Sequence, residues 1–325
     1  MAWHLDGAAQ AASRKIAGSA QSTGAGYAAG LLTWLLCASV FVVVKGTEDE
    51  IPPFTMSFTR LLLLLLLMLP LVHAHFAEMR ALLRTRGLEV LSVGAIGMGL
   101  SQALMYLALH TTSATNVGIV SGMAPMITLV LARLVLGEAM TVWQGLGSLI
   151  AFGGIIAISV KGSLALLMGL QIGLGEILAF GAASMVAAYT VLMKRSQFPL
   201  PPLALLTLLI AGSVLSLFPL FLWEQATGKV MHLTITGIGA IFYAAIIGGG
   251  LMYSAYNWCI GILGPARAGT LIYSQIVFVT FFAWLFLGEQ LFWYHYLGIA
   301  LVAIGIVFVV TLGPKPVGES KNGSD

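Results

Sequence analysis

Apolar stretches long enough to cross a bilayer follow one another along almost the whole chain, near residues 27–45, 54–72, 88–109, 113–136, 142–160, 171–193, 203–223, 234–260, 265–287 and 292–312. Each is close to or above the roughly 20 residues that a helix needs to traverse about 30 Å of hydrocarbon. In hydrocarbon every backbone N–H and C=O must find its partner within the protein, so only helices and closed barrels span it. A barrel strand alternates apolar and polar side chains, whereas Leu61 to Leu67 is an unbroken leucine run. An all-α integral membrane protein with ten transmembrane helices is therefore predicted. Composition agrees, since charged residues make up 8% of the 325 against about 25% in a soluble domain. The 38 glycines suit close-packed transmembrane helices, whose contacts favour small residues because lipid provides no hydrophobic force between them.

Residues 1–26 are small and polar, with Arg14 and Lys15 well ahead of the first apolar stretch, which predicts a flexible arm and no secretory signal. Residues 313–325 form the opposite tail. The short connections leave no room for a soluble domain between spans. With the N-terminus in the cytoplasm, Arg14, Lys15, Arg80, Arg84, Arg86, Arg133, Lys194, Arg195, Arg267, Lys315 and Lys321 fall on the inner side. Only Lys45, Arg60, Lys161 and Lys229 fall toward the outside, together with the acidic run Glu48-Asp49-Glu50. That bias predicts a multi-pass protein of a bacterial-type inner membrane with both termini cytoplasmic. Cys37 and Cys259 both lie inside apolar segments, which suits packing and leaves nothing for a disulfide framework or a metal cluster.

The chain also repeats itself. Residues 113–160 align without a gap on 264–311 at an offset of 151, with ten identities in 48 positions. Composition alone accounts for part of this, but not for a shared Leu-Gly-Glu (ending at Glu138 and Glu289) followed by Leu-Gly (Gly147 and Gly298). Upstream, at an offset of 149, Lys45 falls on Lys194, Pro52-Pro53 on Pro201-Pro202 and Pro70 on Pro219. Residues 27–160 and 161–312 are thus predicted to be two five-helix repeats. Five is odd, so the second copy enters the membrane from the opposite side, and the halves form an inverted pair with a site expected near the midplane between them.

The stretch from Ala103 to Ile158 resembles the core of the EamA-type drug/metabolite transporters: a third span ending in a Tyr-containing apolar stretch, a fourth with a central Pro125, then Leu-Gly-Glu and a Gly-rich fifth. Trp34 and Lys45 at the ends of the first span, and Arg60 opening the second, match the same pattern, and the resemblance covers about residues 27–312. It implies a five-plus-five carrier that exports small amphipathic metabolites by alternating access. Its cavity would be lined by spans one, three, four, six, eight and nine, with five and ten as support or dimer contacts. The second half departs from the first, with Ile276 in the place of Pro125 and Ala183 in that of Trp34. Phosphorylated cargo is disfavoured because no basic cluster lies within the spans.

Polar and aromatic side chains inside spans are the candidates for substrate contact, because each costs free energy in lipid and should face the bundle interior or water. Trp34, Phe41 and Lys45 share one stripe of the first span; Trp34 either packs or lines the cavity, and Lys45 either does so or reaches the outer headgroups. Gln102 and Tyr106 share a face of span three, as Tyr253 and Asn257 do on span eight beside Tyr256, and Tyr106 aligns with Asn257 in the repeat. These pairs suit a central site; the alternative is an interhelical hydrogen bond that fixes packing. Asn116 and Met123 on span four, Tyr189 on span six, and Tyr273 and Gln275 on span nine complete the ring. The aromatic residues of the second half would stack on a ring or hold an ammonium, which favours amino acids, especially apolar or aromatic ones. Arg60 has two readings: it receives a substrate carboxylate, or it pairs with the Glu48–Glu50 loop or reaches the interface.

Carboxylates lie near span ends, with Glu176 and Glu89 the deepest, so facilitated diffusion or exchange is expected, and proton antiport through Glu176 is the alternative. Glu138 and Glu289 precede the next helices, where a carboxylate suits the positive N-terminus. Histidines are scattered without zinc spacing, and Gly248-Gly249-Gly250 lies within a span, so no enzyme, cofactor or metal site is predicted. The expected partners are a small-molecule substrate and the lipid bilayer, not nucleic acid, for a monomer or homodimer. A channel or structural membrane protein is the competing class. Gly118 and Gly122 are expected to let span four slide or bend.

Overall fold

The computed structural model describes residues 23–47, 50–112, 114–138, 141–163, 165, 168, 173–228, 231, 234–287 and 290–312. The expected N-terminal arm up to residue 22, the tail from 313, Glu48, Asp49 and Glu289 lie outside the described residues, as do the side chains of Phe41 and Lys45.

Helices form all the regular structure among these residues, and no strand is found among them. The first half holds α1 (Thr23–Lys45), α2 (Pro53–Met68), α3 (Phe76–Gly94), a π-helical stretch (Ala95–Leu100), α4 (Ser101–Thr111), α5 (Ala114–Ser121), α6 (Ala124–Leu136) and α7 (Val142–Ser159). The second holds α8 (Leu174–Ser196), α9 (Pro202–Ala226), α10 (Ile235–Tyr243), a second π-helical stretch (Ala244–Leu251), α11 (Met252–Thr270), α12 (Ser274–Leu287) and α13 (Trp293–Leu312). Eight helical runs among the described residues are long and apolar enough to cross a membrane, and Pro53–Met68 is a shorter apolar helix.

Burial is inverted relative to a soluble protein. Leu88 and Ile235 are each 87% exposed, whereas Arg60, Gln144, Ser148, Thr190, Ser213 and Glu224 are buried. Apolar residues outside and polar residues within are what a bilayer as solvent selects, so the chain is a multi-pass membrane protein.

Local chemistry sets where helices start, bend and stop. Pro53, Pro125 and Pro202 stand in first turns, where the missing N–H costs nothing. Thr141 and Gln144 form a reciprocal capping box at the start of α7, and Thr234 caps α10 by accepting from Gly237 N at 2.9 Å. The cap of α7 is therefore Thr141, not Glu138 as its position before the helix suggests. Glu138 lies half-buried beside Gly264, its carboxyl pushed above the ordinary range by burial and drawn back down by the nearby Lys194 charge. Span four is interrupted at Gly122-Met123, just ahead of Pro125, and Gly122 packs against Ile155.

A remote carboxylate caps α2. Glu224, only 2% exposed at the end of α9, accepts from Phe54 N at 3.2 Å, Thr55 N at 2.6 Å and Thr55 Oγ1 at 2.8 Å. It satisfies two of the orphan donors of a helix start and complements the positive end of its dipole. Glu224 is thus more deeply enclosed than Glu89 or Glu176, which were expected to be the deepest carboxylates; position along the span does not reveal that α2 begins against the end of α9.

The helices approach closely where glycine removes the side chain. The crossing of α7 and α13 is reciprocal: a Cβ on Gly154 would stand 2.6 Å from the Gly298 carbonyl oxygen, one on Gly298 2.7 Å from that of Gly154, and Gly147 meets Gly305 in the same way. Gly212 of α9 likewise meets the Leu91 backbone of α3, where Ser213 Oγ donates to the Gly94 carbonyl at 2.8 Å.

Two predictions follow from these contacts. Gly154→Leu should destabilise the folded protein by about 1–3 kcal/mol through overpacking, while Gly153→Leu, whose added Cβ meets nothing within 4 Å, should be silent; thermal denaturation in detergent compares them. Glu224→Gln should cost about 1.5–3 kcal/mol, the usual scale for hydrogen bonds to a charged group, and the same assay should show the exposed Glu78→Gln unchanged.

Candidate functional site

A central cavity of about 400 Å³ lies between α1, α2, α4, α8, α11 and both π stretches, within the range of sites that enclose small molecules. Helical periodicity brings its walls together. Thr33, Cys37, Val40 and Val44 recur every three or four residues on one face of α1, and Ala183, Val186 and Tyr189 do the same on α8. Ser121 and Ala124 enter at the break in span four, and Ile272 and Gln275 at the start of span nine. One end reaches Thr47, Ile51 and Pro53 in the connection between α1 and α2.

Both π stretches reach the wall, through Gly97 and Gly248. The residues packed on these two glycines correspond. A Cβ at Gly97 would run into the Tyr189 side chain, and one at Gly248 would lie 3.2 Å from Val40. Gly97 and Gly248 are separated by the 151-residue offset of the repeat, and Val40 and Tyr189 by its 149-residue offset. π segments occur often at functional sites, where the extra residue displaces the backbone ladder.

The wall at the other end is aromatic. Trp34 meets Tyr256 edge-on at 5.5 Å, Tyr189 stacks on Tyr256 at 6.4 Å, and Tyr253 meets Tyr189 edge-on at 6.2 Å. The tyrosine hydroxyls are used within the protein: Tyr189 donates to Asn257 Oδ1 at 2.6 Å, Tyr253 donates to the Gly97 carbonyl at 3.3 Å, and Tyr256 shares a hydrogen bond with Thr190 Oγ1 at 2.8 Å. Beyond this wall, Lys194 Nζ donates to the Gly261 carbonyl at 3.4 Å.

Trp34, Gln102, Tyr106, Tyr189, Tyr253, Tyr256 and Gln275 all line the cavity. The remaining predicted residues are placed elsewhere, apart from Phe41, whose side chain lies outside the described residues. Asn116 donates to Glu176 Oε1 at 2.6 Å and to Thr112 Oγ1 at 3.1 Å, so it serves the carboxylate at the start of α8, which also bonds Thr112 and Gly173 N. Asn257 stands behind the wall as the acceptor for Tyr189. Tyr273 is fully enclosed, in a cluster with Ala151, Ile155 and Val302. Met123 sits half-buried at the span-four break, off the lining. Each of these residues fits the packing alternative stated for polar and aromatic residues in spans.

Span two contributes more than expected, through Met56 and Arg60. Arg60 is 3% exposed, so its side chain is enclosed by the protein. The described part of the acidic loop does not hold it, for Glu50 bonds the hydroxyls of Thr234 and Thr236. Arg60 Nε and Trp34 Nε1 are buried without a hydrogen-bond partner among the described residues. Thr33 and Cys37 lie outside the stripe predicted for the first span, and Cys37 joins the lining where packing alone was expected; Gly97 and Gly248 were not legible, because a π stretch carries no sequence period of its own.

Among the described residues no group of three His, Cys, Asp or Glu side chains is placed to hold a metal ion.

The same architecture occurs elsewhere. A solved crystal structure described only as that of a protein superposes with a TM-score of 0.73 at 17% identity, over 90% of this chain and 98% of its own, a likeness of fold. Two Bacillus subtilis (strain 168) proteins named as uncharacterized transporters are similar over most of their lengths. YyaM is 25% identical over 273 residues, 84% of this chain and 89% of the relative, and YetK is 24% identical over 298 residues, 88% of each. The sequence pattern of the EamA-like transporter family matches twice, over residues 24–160 and 173–311. The chain belongs to the EamA-like transporter family and is a membrane transporter.

Proposed function

We propose that the cavity is the substrate site of an alternating-access carrier that exports small amphipathic metabolites, with apolar or aromatic amino acids as the first class of cargo. The observation that carries this reading is that equivalent elements of the two halves meet around one cavity, with a π stretch of each half in its wall. An inverted-repeat carrier holds its site between the repeats and rocks one against the other.

Further observations support two inverted units, 27–160 and 161–312. The α7–α13 crossing pairs Gly147 with Gly305 and Gly154 with Gly298, and the repeat aligns Gly147 with Gly298 and Gly154 with Gly305. Exchanging the halves therefore maps this set of contacts onto itself, the mark of a twofold relation. Length supports ten crossings. The 48-residue run Ile235–Phe282 would extend roughly 70 Å as one helix at 1.5 Å per residue, more than twice the bilayer core, and the chain turns within it at Gly264, where φ is +78°. Counting this run as two crossings and adding Pro53–Met68 makes ten, with both termini on one side, which the basic residues assign to the cytoplasm of a bacterial-type inner membrane.

Aromatic ring faces and a predominantly apolar lining suit an amphipathic body. No Asp or Glu lines the cavity among the described residues, which supports facilitated diffusion or exchange in preference to proton coupling.

Counterflow into liposomes tests the reading. Unlabelled phenylalanine or leucine inside should accelerate entry of the labelled compound several-fold, and an imposed pH gradient should not drive accumulation. Entry without trans-stimulation would indicate a pore, and strong gradient-driven accumulation would overturn the uncoupled mechanism.

A further inference from the structure

We propose that Arg60 receives the carboxylate of the cargo, and that the cavity prefers small monoanions with an apolar or aromatic body over zwitterions and cations of the same shape. This rests on the carrier reading and narrows its amphipathic metabolites to monoanions, placing them ahead of the zwitterionic amino acids. Arg60 lines the cavity at 3% exposure, and none of its nitrogens has a hydrogen-bond or ion-pair partner among the described residues. A guanidinium does not discharge by losing its proton, and an unpaired buried charge is costly. The site is therefore built around a positive charge that the surrounding side chains leave uncompensated.

The described carboxylates from neighbouring elements are committed elsewhere: Glu50 to Thr234 and Thr236, and Glu224 to the start of α2. Gly248 leaves room beside the guanidinium, since a Cβ there would lie 3.4 Å from Arg60 Nη1. Another buried donor without a partner, Trp34 Nε1, also belongs to a lining residue. Donors without acceptors call for ligand oxygens, and the planar guanidinium fork matches a carboxylate in geometry as well as charge. One guanidinium neutralises one negative charge, which favours a monocarboxylate over a phosphate dianion. Among the described residues the lining offers an ammonium no carboxylate, only ring faces and neutral oxygens, in the field of Arg60. The rings of Tyr253 and Tyr256 receive the apolar body.

The test uses three probes with one phenylethyl body: 3-phenylpropanoate, phenylalanine and 2-phenylethylamine. Binding to the purified full-length protein in detergent is measured by titration calorimetry. Affinity should fall in that order, with about tenfold or more between the first and last, the scale of a charge-assisted hydrogen bond. Arg60→Gln should lower the affinity for 3-phenylpropanoate about tenfold or more and level the series, while Arg60→Lys, which keeps the charge and loses the fork, should fall between. Wild-type affinity for the amine equal to or above that for the anion, an unchanged series in Arg60→Gln, or no binding of any probe would overturn the proposal. If neither variant folds, the wild-type order alone decides. Counterflow separates the two readings: trans-stimulated transport indifferent to Arg60 removes the anion preference and leaves the carrier, whereas Arg60-dependent binding without trans-stimulation removes the carrier and leaves the site.

Discussion

Hydrocarbon supplies no hydrogen bonds, and this constraint organises the protein from backbone to cavity. It confines the main chain to helices, and it removes the hydrophobic force that would press helices together, so their association depends on close packing and polar contacts. Glycine at facing positions of α7 and α13, and again between α3 and α9, brings one backbone against another. Several polar side chains find their partners on a neighbouring helix: Glu224 serves the start of α2, Ser213 the Gly94 carbonyl, and Asn257 the Tyr189 hydroxyl.

Not every buried donor is satisfied, and two of the open ones belong to cavity residues. Arg60 Nε and Trp34 Nε1 are both buried and both without partners, on α2 and α1, around a space that a small molecule would fill. Polar groups of this kind in a membrane interior are expensive and mark functional pathways. The same groups that give the site its sign also weaken the fold, because the interactions they lack are ones a ligand must bring.

The fold was more legible than the site. Apolar length alone marks the segments, and the prolines mark several starts, because both act locally. The site residues Trp34, Tyr253 and Tyr256 were legible because large aromatic side chains in a polar-poor span have few roles. Asn116 and Asn257 looked equivalent to Gln102 and Tyr106 in sequence, yet they answer to Glu176 and Tyr189, partners that adjoin them only in three dimensions. Of the two readings of Arg60, pairing with the acidic loop rests on nearness in sequence, whereas Glu50 is drawn to the threonines that open α10. Glu224 was overlooked for the converse reason: a span end is enclosed when another helix begins against it. The π stretches lay beyond pattern reading, since glycine and apolar residues fit a regular helix equally well.

The distribution of polar contacts around the cavity bears on how such a carrier would move. On one side, α8 and α11 are joined by Tyr189 to Asn257, Thr190 to Tyr256 and Lys194 to the Gly261 carbonyl. In the repeat their counterparts are α1 and α4, whose facing residues Gln102 and Tyr106 make no hydrogen bond to α1 among the described residues. The pair α8–α11 is thus latched by hydrogen bonds where its counterpart is not. Reversal would part the first interface and join the second. Interhelical hydrogen bonds in membranes are worth about 0.6–2 kcal/mol each, so three of them hold roughly 2–6 kcal/mol. A ligand shifts an equilibrium only by its difference in affinity between the two states, and a millimolar to micromolar site commands about 4–8 kcal/mol in all. Weak, few and local contacts at the latch therefore leave the balance within reach of a small substrate, where a large apolar interface would hold the carrier in one state.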